Sequence, residues 1–503
     1  FSHEPARLEI ALLGMQAVGK PGRHQFKFIE WTMFGTDTFS PLPRSEVYPN
    51  VGAAYHGWPF EVGENSIAKT KLPEAILNGH NEWYGKTICS LPVEDQFNKY
   101  QYPLPGKERL HMIWSDAPCW STCWNGGFLM EDALRDESIE FVLVQHPWME
   151  NDTVFADIIL PVATMMECKD IGSDNCSGAA ALIFVEDQAI EPVGEAVSDF
   201  KAVYRVAKKL EQYGGIYEGL CEKFTRGQTL DECIKYGFDN SGVPEDFTYD
   251  DLLEQGFWAS PTREGWEDEP AGLLKFYEDP ENYPLDTGTG LIQYYSTELA
   301  EGFPDDDIRG PYPKWVEKGD GHDDRWDSER AKQYPFLLMS NHPRWRLHAQ
   351  NDDNPWMREI ETCKVVGPDG YKYEPIWINP IDADTYGLKD GDVARLFNER
   401  GSVLGGIRVT ERVMPGVLYQ DHGARIDSIV GGTGGLDRGG ANNLLAPSAT
   451  TSKNATGEVT NSFLVGIEKA DVFELAKKYP EQFNRDYDED FGLIASAYIV
   501  GEE

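Results

Sequence analysis

The stretch INPIDADTYGLKDGDVARLFNERGSVLGGIRVTERVMPGVLY, residues 378–419, decides the fold class. Apolar runs such as VARLFN and GSVLGGIRV alternate with KDGD, ERGS and MPG. In those turn signals glycine and proline supply backbone conformations that strand residues avoid. Working outward, YPFLLMS (334–340) and PIWINP (375–380) read as earlier strands, and GVLYQDHG (416–423) as the strand at its end. NSFLVGIEKADV (461–472) reads as a last strand entering a helix, and GGTGGLDRGG (431–440) as a glycine-rich loop. Many short strands at this spacing predict a small closed barrel over 331–503, because closure removes unpaired sheet edges.

Upstream the pattern changes. RLHMIWSD (109–116), SIEFVLVQHPW (138–148) and FADIILPVATM (155–165) are apolar runs at α/β spacing, and EFVLVQ has the continuous apolar character of a buried parallel strand. SDFKAVYRVAKKLEQYG (198–214) has helical periodicity, with Ser198 as N-cap and Gly214 just past the end. Residues 1–214 therefore read as α/β. From 215 to 330 the chain turns acidic and aromatic, which predicts a helical insertion with solvated loops. Its Asp305–Asp307 run lacks the twelve-residue pattern of a calcium loop. A length of 503 residues fits about three units at roughly 150 residues each.

Composition excludes several functions. With 85 acidic against 45 basic residues the net charge is −40, which repels a phosphate backbone, so nucleic acid is not an expected partner. No apolar run approaches the ~20 residues a membrane span needs, so no direct membrane insertion is expected. The chain opens on Phe1 without a secretory pattern, and a cytoplasmic fragment of a longer protein is the expectation. Eight cysteines are scattered without a Cys-x-x-Cys pair; Cys119 and Cys123, the nearest two, read as ordinary buried thiols, and no metal ligand is expected.

LLGMQAVGKPG (12–22) carries Gly14, Gly19 and Lys20 at P-loop spacing, but Pro21 stands where a magnesium-binding hydroxyl is required. Leu8, Leu12 and Met15 before it have helical spacing, where a P-loop follows a strand. A helix stop is the better reading.

Two clusters could carry chemistry. SNHPRWRLHAQ (340–350) follows a strand and packs two histidines, two arginines, an Asn and a Gln into eleven residues, a donor set suited to an anionic, heteroatom-rich ligand. In VQHPWMENDTVFADIILPVATMMECKDIGSDNCSG (144–178), Gln145 ends a buried strand, where an open α/β sheet places its ligand crevice. Asp157 and Glu167 sit among apolar residues and each needs a hydrogen-bond donor. No serine elbow, His-Glu-x-x-His or dinucleotide fingerprint occurs.

In order, FADIILPVATMMECKDI, IEPVGEAVSDF, SNHPRWRLHAQ and the 378–419 stretch resemble the C-terminal half of molybdopterin oxidoreductases of the dimethyl sulfoxide reductase family, and the resemblance spans nearly the whole chain. It implies partial parallel-sheet molybdopterin-binding domains followed by a six-stranded, double-psi-like β-barrel. It also implies molybdenum or tungsten held by two pterin guanine dinucleotides. By motif, the cofactor-contacting residues would be Gln145, Thr153, Asp157, Glu167, Asn175, His342, Arg344, Arg346, His348, Asn442 and Asn461. The branch it most resembles acts on polyhydroxylated aromatics, removing or transferring a hydroxyl; a reductase of an oxyanion or an N- or S-oxide, or a non-catalytic scaffold, is the alternative. His146, Trp148 and Trp120 are the candidates for contact with a small aromatic substrate. The family's iron–sulfur cluster and metal ligand belong to an N-terminal half that nothing here matches, so the resemblance implies a chain inactive by itself, with a ferredoxin-like iron–sulfur subunit as partner.

Overall fold

The computed structural model describes residues 3–23, 45–47, 49, 51, 65–85, 93–173, 181–268, 273–315, 323–459, 462–488 and 493–494. The chain divides into two compact units: Phe1–Pro5, Glu64–Ile159 and Thr297–Glu503 form one, Ala6–Gly63 and Leu160–Ser296 the other. Among the described residues no helix is long and apolar enough to cross a membrane.

The first unit carries an α/β layer and a barrel. Strands β1 (Met112–Ser115) and β2 (Phe141–His146) pair in parallel, Ser115 opposite Val144. Between them run two helices, α1 (Trp120–Cys123) and α2 (Gly127–Leu134). A parallel pair needs such a crossover, and it leaves the loops after both strands at the same sheet edge.

Six strands close the barrel: β3 (Phe336–Met339), β4 (Pro375–Ile378), β5 (Val393–Asn398), β6 (Gly401–Val409), β7 (Val417–Gln420) and β8 (Ser462–Lys469). The ring runs β4–β7–β3–β8–β5–β6 and back to β4, with β7–β3 and β6–β4 parallel and the other four pairings antiparallel. This is the mixed six-stranded barrel expected from the sequence. Its interior is apolar: Leu338, Ile376, Leu396, Val403, Leu418 and Val465 are buried in one cluster, and Phe128 from α2 joins it. The β5–β6 turn is the two residues Glu399–Arg400, since Asn398 pairs with Gly401. Gly405 is required by close approach, for a Cβ there would lie 2.6 Å from Ile376.

Several elements went unread in the sequence, one of them inside the stretch that decides the fold. INPIDADTYG holds a helix, Pro380–Tyr386, with Asn379 accepting a hydrogen bond from the Ile381 amide at 3.1 Å, Pro380 in the first turn and left-handed Gly387 just past its end. The Asn-Pro start and glycine stop are its signal.

In the second unit, Asp170–Ser173, Leu182–Glu186 and Phe257–Ala259 form an antiparallel sheet. The expected helix is Asp199–Leu210, with Ser198 as its N-cap. Leu230–Asp239 and Tyr249–Gln255 each begin with a capping box, Thr229 with Glu232 and Thr248 with Asp251. The segment with P-loop spacing is preceded by a helix, His3–Met15, and ends in turns with Ala17 and Gly19 at positive φ, so the helix-stop reading holds.

Glu131 on α2 is fully buried, and one of its oxygens accepts a hydrogen bond from the Gly432 amide at 2.7 Å. Burial pushes its carboxyl up to about 7, against the lowering effect of that bond. With a folded-state value above the unfolded one, the folded protein binds the extra proton between about pH 4.5 and 7, so stability falls as pH rises through that window. Glu131→Gln is expected to flatten this slope and to gain roughly 2–4 kcal/mol at pH 8; urea denaturation of both proteins at pH 5 and pH 8 measures it. An unchanged slope rules the assignment out.

Candidate functional site

The donor-rich turn meets the carboxyl edge of the parallel sheet. Asn151, fully buried in the loop after β2, donates from Nδ2 to the carbonyls of Ala349 (3.4 Å) and Ala424 (3.3 Å) and to the Thr122 hydroxyl, while its Oδ1 accepts from the Ile426 amide at 2.8 Å. Glu150 beside it accepts from the Asn351 amide at 2.9 Å and pairs with Arg425. These two side chains tie the loops after β1 and β2 to residues 349–351 and 424–426. Neither stood out in the sequence, because a polar pair in a loop carries no periodicity.

Asp152 organises the other wall. It accepts from the Trp120 amide and from the Ser121 amide and hydroxyl, the Ser121 amide lying at 3.2 Å. Burial pushes its carboxyl up to about 6 despite those donors. It thereby caps α1, which Cys119 precedes and Cys123 ends.

Cys123 faces histidines. Its sulfur and one ring nitrogen each of His348 and His422 lie within 4.8 Å of one another. The His342 ring stands 4.4 Å from His348 and 4.8 Å from His422, centroid to centroid. A hydrogen bond from Cys119 brings the Cys123 thiol down to about 4, against burial and with help from His422 and His348; the same bond, with burial, raises Cys119. From spacing alone these two cysteines read as buried thiols. What it could not show is that the turn and the loop after β7 bring three imidazoles onto them.

The remaining expected positions are distributed as follows. Gln145 is buried and accepts from Trp114 Nε1 at 3.2 Å. Thr153 is buried with an unpartnered hydroxyl, as is the Ser115 hydroxyl at the end of β1. His146 is half-buried, its Nδ1 3.1 Å from the Trp148 backbone, and Trp148 is exposed. Trp120 stacks on Trp124 at 5.3 Å and lines a cleft of about 500 Å3 with Tyr102, His111 and Trp114. Arg344 is exposed, its guanidinium over the Trp345 ring.

Four of the expected positions make bonds within the protein. Arg346 has a fully buried side chain spent on Asp352 (2.8 Å), Glu374 (2.8 Å) and the His422 carbonyl (2.6 Å). A guanidinium so committed has no fork left for a phosphate. Asn442 donates to the Gln420 and Asp421 carbonyls, and Asp157 accepts from the Val142 amide at 2.7 Å, bracing β2. Glu167, in the second unit, accepts from the amides of Thr164 and Val193; those bonds hold its carboxyl below the usual range. Asn175 and Asn461 lie outside the described residues.

Arg346 belongs to a larger buried network. Asp352 also meets Arg358 (3.0 Å) and Lys364 (3.2 Å), and Lys364 reaches Glu374. Burial alone would raise the Asp352 carboxyl; Lys364, Arg346, Arg358 and Arg425 outweigh it and hold the group well below the usual carboxylate range.

Residues 336–463 match the family described as molydopterin dinucleotide binding domain. The chain is 30% identical to the pyrogallol hydroxytransferase large subunit of Pelobacter acidigallici, over 93% of this chain and 58% of that protein. It is 29% identical to dimethyl sulfoxide reductase DmsA of Escherichia coli (strain K12), over 66% of this chain and 38% of that protein. The chain thus spans less than two thirds of either relative. Its fold is similar to acetylene hydratase from Pelobacter acetylenicus, with TM-score 0.52 and 16% identity over 87% of this chain and 52% of that one.

Proposed function

The chain belongs to the dimethyl sulfoxide reductase family of molybdopterin oxidoreductases, and from that premise we propose that it forms the dinucleotide-binding part of a catalytic subunit acting on polyhydroxylated aromatics. The observation that carries the reading is the pair of buried, unpartnered hydroxyls of Ser115 and Thr153 at the carboxyl ends of the sheet loops. A buried hydroxyl without a partner costs free energy, and a phosphate or pterin edge would satisfy both. Arg344 and His342, exposed on the facing turn, add a guanidinium and an imidazole donor for a polyanion. These donors fit a pterin dinucleotide in chemistry.

When bound, the cofactor's metal supplies a Lewis acid that polarises a substrate hydroxyl. The protein orients and shuttles protons. His146 keeps Nδ1 on the Trp148 backbone, so Nε2 is the nitrogen left to hold or release a proton. Trp114 and Trp120 offer ring surface in their cleft, to which a planar aromatic can pack edge or face. The likeness to the hydroxytransferase over 93% of the chain supports an aromatic substrate, and that to a sulfoxide reductase supports an oxide as the second reading. An iron–sulfur partner subunit is part of the proposal.

The test is cofactor analysis of the protein produced without oxygen in a molybdate-competent host. We expect guanine nucleotide and oxidised pterin to be released on denaturation, and Thr153→Val with Ser115→Ala to retain roughly 30-fold less, the loss of two hydrogen bonds worth about 1 kcal/mol each. Protein free of both compounds would defeat the proposal. Turnover of pyrogallol against that of an N-oxide separates the two substrate readings.

A further inference from the structure

The second unit carries a charged surface that neither the cofactor reading nor the core uses. Its helix Asp199–Leu210 presents Lys201, Arg205 and Lys208 at i, i+4 and i+7, a single helix face, with Lys209 beside them, and all four are exposed. From Lys201 to Lys208 the stripe runs about 10 Å, at 1.5 Å per residue. In a chain of net charge −40 these cations stand against the sign of the surface as a whole. Lys169 and Lys235 of the same unit are paired with Asp231 and Asp239, but among the described residues none of the four makes an ion pair or a side-chain hydrogen bond. Glu211, the first carboxylate after the stripe, is spent on the Cys221 amide at 3.0 Å. Lys208 and Lys209 suit the carbonyl end of the helix. Lys201 with Arg205, and Arg205 with Lys209, are like charges four residues apart, which weaken a helix, so the stripe as a whole does not serve the helix that carries it.

Apolar side chains stand where the stripe ends. Gly214 and Gly215, both at positive φ (66° and 64°), join the turns Glu211–Tyr213 and Gly215–Tyr217. These turns leave Tyr213 81% and Ile216 83% exposed. An aromatic and a branched aliphatic side chain left in water beside a row of cations have the composition of a protein interface, in which apolar anchors fill pockets and charges line the rim.

The other side of the helix is closed to a bilayer. Ala202 and Ala207 are buried, and the Phe200 ring meets Phe224 of the helix Leu220–Thr225 at 5.2 Å. A helix that lies in a membrane surface needs that apolar face free to enter the headgroup layer. A partner protein needs only the outward face. We propose that Lys201, Arg205, Lys208 and Lys209, with Tyr213 and Ile216 at their end, form a docking face for an acidic protein surface that bears an exposed apolar side chain. Charge complementarity selects the partner, and the acidic surface elsewhere on the chain repels it wherever it misses the stripe, which fixes the register of the contact.

The test uses the full chain and a fluorescein-labelled peptide of glutamates interrupted by leucine and tryptophan, followed by fluorescence anisotropy. We expect saturable binding at low salt that weakens roughly tenfold at physiological salt, because exposed charges are screened. Reversing three charges together, Lys201→Glu, Arg205→Glu and Lys208→Glu, should abolish binding. Tyr213→Ser with Ile216→Ser should weaken it roughly tenfold at either salt, through the lost apolar contact. Lys332→Glu with Lys477→Glu, at exposed lysines outside the stripe, should leave it unchanged. Carbodiimide coupling of the peptide to the unaltered chain, mapped by mass spectrometry, should fall on Lys201, Lys208 or Lys209, and it decides the matter if a variant fails to fold. No binding, binding that survives the charge reversal, coupling to lysines outside the stripe, or binding to phosphatidylserine vesicles in place of the peptide would overturn the docking face.

Discussion

Replacing Arg346 with Met is expected to destabilise the cofactor-free chain by about 3–5 kcal/mol, the usual consequence of removing one partner from a buried ion pair, and to lower the melting midpoint by on the order of 10 °C. The side chain is completely buried and bonded to Asp352, Glu374 and the His422 carbonyl. Without it, Glu374 keeps Lys364 as its partner among the described residues and the His422 carbonyl loses a donor. Replacing both partners, Arg346→Met with Glu374→Leu, should recover part of the loss, since it also removes the stranded charge. Urea denaturation of the three proteins at pH 7 measures this. Had the arginine been a phosphate ligand, the single change would leave cofactor-free stability within about 1 kcal/mol, and that result would refute the network reading. The sign with pH follows from Asp352, whose carboxyl is held low in the folded state by Lys364, Arg346, Arg358 and Arg425 against the effect of burial. Its contribution is complete above the unfolded-state value and is lost only as pH falls through the depressed folded one. The gap between wild type and Arg346→Met should therefore persist into mild acid.

The second large effect is expected at Gly423. Its φ is +81°, and an added Cβ would lie 2.1 Å from the His348 carbonyl oxygen and 2.7 Å from the Ala349 Cα. Both neighbours are backbone, so neither can swing aside. Gly423→Ala combines a left-handed residue with overpacking, for roughly 2–4 kcal/mol, and should displace His348 from His422. Chemical denaturation gives the first quantity, and an increased rate of Cys123 alkylation reports the second. If both match the parent protein, the crossing of these two segments is not as drawn.

Much of the molecule could be read without coordinates. The barrel strands were legible because short apolar runs alternate with turns that need glycine or proline, as in KDGD, ERGS and MPG. Ser198 marked its helix because an N-cap side chain acts within three residues of itself. The helix at 380–386 was passed over since it has only seven residues and a single buried one, Ala383. Arg346 shows the limit of spacing, for its place beside Arg344 suggests a pair of forks for an anionic ligand. One is exposed and the other is spent on Asp352 and Glu374, residues 6 and 28 positions away.

The sequence by itself determined the barrel strands, the family resemblance and the donor-rich character of 340–350, because each is written in runs of neighbouring residues. The tertiary structure alone decided which donors remain available to a ligand. Asn151 reaches carbonyls 198 and 273 residues away, and Cys123 meets His348 and His422 across comparable separations. Contacts of that span leave no local pattern, since their partners are chosen by how the sheet edge and the barrel loops close on each other.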